Sequence, residues 1–214
     1  MIRSSQAVLE PRKTPLQARS TASVEAILEA TLQVLLDVGK ERLTTTKVAL
    51  RAGVSVGTLY QYFPNKSALL QAALKRHLSD VSDAVVAVCR DQAGQPLTQM
   101  ATALIKAFLE AKMRNVKTSV ALYSVSSDLD GAKIVQQTGV RFNKAVAEML
   151  ETAQEQLTTD PRLVATMLQS AITGVSRRIL ESSSPEKQLE PLRQELIVLA
   201  CAYLEASSVS RRTK

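Results

Sequence analysis

The sequence predicts an all-α fold of about nine helices, and three observations carry that prediction. Apolar residues recur at three- and four-residue steps along most of the 214-residue chain. No segment shows the two-residue alternation of a half-buried strand. Glycine, proline and serine-rich breaks fall between the periodic runs. Within this fold, an N-terminal helix-turn-helix domain is expected to precede a larger helical domain.

Taken in order, residues 1–19 hold Arg3, Arg12, Lys13 and Arg19 with Pro11 and Pro15 and lack apolar periodicity. They read as a flexible basic arm. From Ser20 a helical face carries Val24, Ile27, Leu28, Leu32 and Leu35, and Gly39 ends it. A long helix is predicted over 66–90 from Leu70, Leu74, Leu78, Val81, Val85 and Val88, then helices over 97–113 and 117–126. The next covers about 131–157. Asp160-Pro161 then offers a cap and a first-turn proline for a helix to about 181. Ser182–Pro185 breaks the chain, Pro191 is read as the start of the last helix, to about 206, and 207–214 as a short basic tail. The domain reading is 1–19 arm, 20–66 helix-turn-helix domain, and 67–214 a larger helical domain.

Composition narrows the function classes. Apolar residues make up 45% of the chain, enough for a real core. No apolar run approaches a membrane span and no signal peptide opens the sequence, so a cytoplasmic protein without membrane attachment is expected. Cys89 and Cys201 stand alone in helical stretches and read as buried, reduced thiols rather than metal ligands or a disulfide framework. The net charge of +7 is lopsided: residues 1–76 contribute +6 and residues 77–214 only +1. That is the distribution of a polyanion-binding module joined to a neutral domain.

The segment with most chemical content is 44–66, TTTKVALRAGVSVGTLYQYFPNK. Thr44 or Thr45 can cap a short helix with Val48 and Ala49 inward. Gly53 can end it in a left-handed turn, and Ser55 can cap a second helix with Leu59 and Phe63 on its buried face. Helix, glycine turn, helix is the helix-turn-helix pattern. The second helix is slim at its start, with Val56, Gly57 and Thr58 able to face base edges in a major groove. Tyr60 and Tyr62 follow, with hydroxyls long enough for phosphate oxygens, although tyrosines in such positions also serve as packing. Asn65 can cap the next helix and place Lys66 at its positive end.

These residues resemble the DNA-binding domain of TetR-family regulators of the TetR/AcrR type. The resemblance is carried by Thr45-Thr46, Ala52-Gly53-Val54-Ser55, Gly57-Thr58-Leu59-Tyr60, Tyr62-Phe63 and Lys66, with Ala26–Ala30 and Gly39 upstream. It covers about residues 19–75. It implies phosphate contacts from Thr45, Thr46, Ser55, Tyr60, Tyr62 and Lys66, and base-facing positions at Val56, Gly57 and Thr58. Positions 56–58 hold no Arg, Lys, Asn or Gln, the types that make bidentate base contacts. Apolar contact with thymine methyls, a polar contact from Gln61 or Lys47, DNA shape and the arm in a minor groove are expected to supply readout.

One rival motif points to an enzyme. Gly53-Val54-Ser55-Val56-Gly57 matches G-x-S-x-G, the nucleophile elbow of serine hydrolases. That motif needs a preceding strand, a histidine base and an acid between serine and histidine. The single histidine is His77, and no Asp or Glu lies between Ser55 and His77. No catalytic activity and no cofactor are expected.

The C-terminal half is read as a dimer module and effector receptor. The dimer interface is expected on the last two long helices, through Leu168, Ile172, Val175, Ile179, Leu196, Leu199 and Tyr203. A pocket is expected among Met100, Leu104, Phe108, Tyr123, Phe142, Met149 and Met167, a set that also reads as core. With aromatics at 3%, a small or aliphatic effector is expected. The partners are thus a double-stranded operator, a second copy of the chain and a small molecule. The function expected is repression from a pseudopalindromic operator. Activation through the same DNA-binding domain, or a helical adaptor that no longer meets DNA, are the alternatives.

Overall fold

The computed structural model describes residues 18–126 and 129–210. The expected basic arm lies outside the described residues except for its last two positions, as do residues 211–214 of the tail. The described residues form nine helices and two three-residue strands. They are α1 Ala18–Arg42, α2 Thr45–Ala52, α3 Val56–Tyr62, α4 Lys66–Asp91, α5 Leu97–Met113, α6 Val116–Ser126, α7 Leu129–Glu151, β1 Glu155–Leu157, α8 Pro161–Leu180, α9 Pro185–Ala206 and β2 Ser208–Ser210.

The chain divides into two compact units. The first runs to His77 and takes in Ala121–Ile134; the second holds Leu78–Val120 and the chain from Val135 onward. In the first unit, Ile27, Val34 and Leu35 of α1 are buried with Val48 and Ala49 of α2, Leu59 of α3 and Phe63. Phe63 is 1% exposed, and burying such a ring stabilises the unit by about 2–3 kcal/mol. Gly39 sits at φ +76° and breaks the helical geometry of α1 where the periodicity stops, a backbone state that suits glycine. The unit reaches past residue 66 because Ala68, Leu69, Leu70, Ala73 and Leu74, at the start of α4, are buried as well.

In the second unit, α5 packs on α9 and α8, and α8 packs on α9. The core joins Met100, Leu104 and Phe108 of α5 to Phe142 and Met149 of α7, Leu168 and Ile172 of α8, and Leu196 and Leu204 of α9. Phe108 and Phe142 meet edge to face with centroids 5.8 Å apart.

Two boundaries differ from the sequence reading. The helix expected over 131–157 ends at Glu151, because the next residues bond elsewhere. Thr152 Oγ1 accepts from Gly94 N at 2.8 Å, and the Glu155 carboxylate accepts from Leu97 N at 2.9 Å. Glu155 thereby caps α5, whose preceding residue Pro96 offers no side-chain cap. Residues 155–157 then pair antiparallel with 208–210, so part of the expected tail is β2. The last helix begins at Pro185 rather than Pro191. Pro191 lies one and a half turns inside, on the exposed side, where its missing N–H costs one helical bond and the inward residues further along hold the helix.

Candidate nucleic-acid interface

The helix-turn-helix is built by a chain of caps. Thr44, in extended conformation, caps α2 by accepting from Lys47 N at 3.3 Å. At the other end Gly53 adopts φ +67°, ψ 29°. There Gly53 N donates to Leu50 O at 3.2 Å and Val54 N to Ala49 O at 3.0 Å, the paired bonds of a Schellman turn. Any residue with a Cβ would be strained at that φ. Ser55 then caps α3, its hydroxyl accepting from Thr58 N at 2.9 Å. Asn65 caps α4 by accepting from Ala68 N at 2.8 Å. Ser55 of the G-x-S-x-G match is therefore a cap between two helices, with no strand leading into it.

Burial fixes which way α3 faces. Leu59 is fully buried, while Gly57, Tyr60 and Gln61 are exposed and Val56, Thr58 and Tyr62 are half-buried. The slim start of the helix is thus at the surface. Two hydroxyl pairs flank it. Thr45 Oγ1 and the Tyr60 hydroxyl lie 3.0 Å apart, tying the start of α2 to α3. Ser55 Oγ and Thr58 Oγ1 lie 2.9 Å apart. In each pair one proton makes the mutual bond and the other stays free to donate outward, to a phosphate oxygen for example. Thr46 is exposed beside them.

The charges complete the surface. Glu25 and Glu29 hold Arg76, at 2.7 and 3.3 Å, and Asp37 holds Arg51 at 2.6 Å. Arg42, Lys47 and Lys66 make no ion pair among the described residues. They donate to backbone carbonyls instead: Arg42 Nε to Val38 O at 3.1 Å, Lys47 Nζ to Arg42 O at 3.0 Å and Lys66 Nζ to Glu41 O at 3.1 Å. The C-terminal end of α1, the negative end of its dipole, gathers three cations. Single bonds to carbonyls at the surface hold them weakly enough to exchange for phosphate oxygens. The sequence reading missed Arg42, although its place in the last turn of α1 was a signal.

The C-terminal residues separate differently. Met100, Leu104, Phe108, Phe142 and Met149 come together, all buried in the second unit's core. Met167 does not join them, being 51% exposed on α8, and Tyr123 belongs to the first unit. Asn143 and Gln169 bond across α7 and α8, with Asn143 Nδ2 donating to Thr166 Oγ1 at 2.9 Å and to Gln169 Oε1 at 3.4 Å. Of the expected interface, Leu168, Ile172, Ile179 and Leu196 turn inward to their own chain's core, and Val175 and Tyr203 pack against it. Only Leu199 is truly exposed. The outward apolar residues of these helices are Leu163 (53%), Met167, Val198 (62%) and Leu199 (58%). Each helix carries two apolar stripes, and periodicity alone assigned the inner one to the outside.

Among the described residues no helix is long and apolar enough to cross a membrane, and no His, Cys, Asp and Glu group has the makings of a metal site.

Comparison with known proteins agrees with this geometry. Residues 27–73 match the family model described as bacterial regulatory proteins, tetR family, and residues 96–204 match that of the tetracyclin repressor-like C-terminal domain. The HTH-type transcriptional regulator BetI of Cronobacter sakazakii is 30% identical over 166 residues, 74% of this chain and 80% of that protein. BetI 1 of Chromohalobacter salexigens is 33% identical over 119 residues, 54% of this chain, and the match spans only 58% of that relative's length. In fold, the chain resembles SmeT, repressor of the Stenotrophomonas maltophilia multidrug efflux pump SmeDEF. The TM-score is 0.65 at 23% identity, over 90% of this chain and 93% of that one.

Proposed function

Since this chain belongs to the TetR family of bacterial transcriptional regulators, we propose that it is a repressor that grips a pseudopalindromic operator as a homodimer and lets go when a small molecule binds its C-terminal half. The observation that carries the DNA-binding part is the exposed, slim start of α3 between two hydroxyl pairs and three cations without acidic partners. In this reading Thr45, Thr46, Ser55, Tyr60, Tyr62 and Lys66 bind phosphates, joined by Arg42 and Lys47. Val56, Gly57 and Thr58 face the bases.

Two copies are needed because one seven-residue recognition helix offers few base contacts, whereas two half-sites add their free energies. The exposed stripe of Leu163, Met167, Val198 and Leu199 on α8 and α9 is the face proposed to meet the second copy. The effector is proposed to enter the core around Met100, Leu104, Phe108, Phe142 and Met149. A solved complex of SmeT with triclosan supports a small-molecule trigger by family likeness. Release works through differential affinity: the effector favours a conformation in which α4, which runs unbroken from Lys66 to Asp91, no longer holds the two recognition helices at operator spacing.

The test is retention on duplex DNA as salt rises. Steep loss of affinity with salt, and release by an apolar metabolite that also raises the melting temperature, are the expected results. Binding that is absent at low salt would leave the adaptor reading. A promoter-reporter assay separates repression from activation.

A further inference from the structure

We infer that Gln61 is the residue that selects one base pair in each half-site, and that the pair is A·T with its adenine read through the major groove; this rests on the DNA-binding reading above. Successive residues of a helix turn by about 100°, so Gln61 points roughly 160° away from the buried Leu59 and shares the outermost line of α3 with Gly57. Its polar neighbours Thr58 and Tyr60 on α3 are hydroxyls that each already share a hydrogen bond. The Tyr60 hydroxyl is bonded to Thr45, and the Thr58 hydroxyl to Ser55. The Gln61 amide makes no hydrogen bond among the described residues and is exposed.

The alternative source of a polar contact, Lys47, lies on α2 and is assigned to a phosphate in the DNA-binding reading. Gln61 is also the sole side chain on α3 with both a donor and an acceptor in a planar amide. That geometry matches adenine, whose N7 accepts and whose N6 amino group donates in the major groove. Gly57, one turn earlier on the same line, has no side chain to hold the helix off the groove floor, so an amide of Gln61's length reaches the base edge.

The experiment uses the full-length protein and the duplex it enriches from a random library. Wild type, Gln61→Ala and Gln61→Arg are titrated against that duplex with every base pair of one half-site changed in turn. Wild type is expected to lose about five- to a hundredfold at one A·T position and at the same position when 7-deazaadenine removes N7. Gln61→Ala should bind all pairs there alike, keeping its profile elsewhere, its salt slope and its melting temperature. Gln61→Arg should shift the preference there to guanine. An unchanged profile in Gln61→Ala, or a loss spread evenly over all positions, overturns the assignment while leaving DNA binding intact. If no duplex is enriched at all, the DNA-binding reading itself has failed.

Discussion

Replacing Gly57 by alanine separates the fold from the function at the recognition helix, with opposite signs for the two. Gly57 lies in the first turn of α3 and is exposed. A Cβ built there meets only the Ser55 hydroxyl at 3.7 Å, an ordinary contact, so the fold accepts the methyl group without adjustment. Alanine is about 0.8–1.0 kcal/mol better than glycine inside a helix, and near the first turn about half of that or more should be realised. For a chain of this size 0.5–1 kcal/mol corresponds to roughly a 1–4 °C rise in melting temperature.

DNA binding should move the other way. In the proposed reading the methyl stands on the line of α3 that enters the groove, where it would displace the helix from the base edges and weaken their contacts. Losing one good base contact costs about 1–3 kcal/mol, or roughly five- to a hundredfold in affinity. Thermal unfolding followed by circular dichroism and a fluorescence anisotropy titration on the enriched duplex measure the two effects. A variant that is more stable and still binds with undiminished affinity would show that the start of α3 does not face the bases. A variant that melts lower would contradict the local backbone geometry.

Other perturbations test the remaining parts. Lys66→Ala should weaken binding on all sequences alike and lower the magnitude of the salt slope by about one, since its proposed role is a single phosphate contact, and a salt titration reads this directly. Tyr60→Phe should leave the melting temperature nearly unchanged but cost about fivefold or more in affinity, because it removes the hydroxyl proposed to reach a phosphate together with its bond to Thr45. Leu199→Glu places a charge on the exposed stripe of α9, so sedimentation should show monomers with retained helicity; an intact dimer would move the interface elsewhere. Burial pushes the Cys89 thiol up to about 12, so a thiol reagent at pH 8 should label the half-buried Cys201 first and reach Cys89 only on unfolding. Burial lowers the Lys112 ammonium below the usual lysine range, so the unfolded chain binds that proton more tightly. Wild type should therefore gain stability as pH rises through the alkaline window between the folded and unfolded values, a gain that Lys112→Met lacks while melting higher at neutral pH.

The two halves of the molecule were legible to different degrees for a physical reason. In the first unit function is coupled to local backbone chemistry. Gly53 must take a left-handed conformation, Ser55 must cap, and Leu59 and Phe63 must lie on one side of a short helix, so residue type and spacing together state the geometry. What sequence could not give there were the contacts between elements: the Thr45–Tyr60 bond joins residues 15 positions apart, and Lys66 reaches 25 positions back to join Arg42 and Lys47 at the end of α1. In the second unit nearly every apolar position obeys the same 3.6-residue rule whether it meets its own core, a second copy or a ligand. Leu168 and Met167 are adjacent in sequence and equally apolar, yet one is buried and the other half exposed. That choice is made by the packing of α5, α8 and α9 on one another, and periodicity has no term for it. The end of α7 and the strand that follows α9 escaped the reading similarly, because Thr152, Glu155 and Ser207 answer to partners about 50 to 60 residues away rather than to local propensity. A surface defined by caps and turns can thus be read from one sequence, whereas a surface defined by which of two apolar stripes stays outside has to be read from the packed chain.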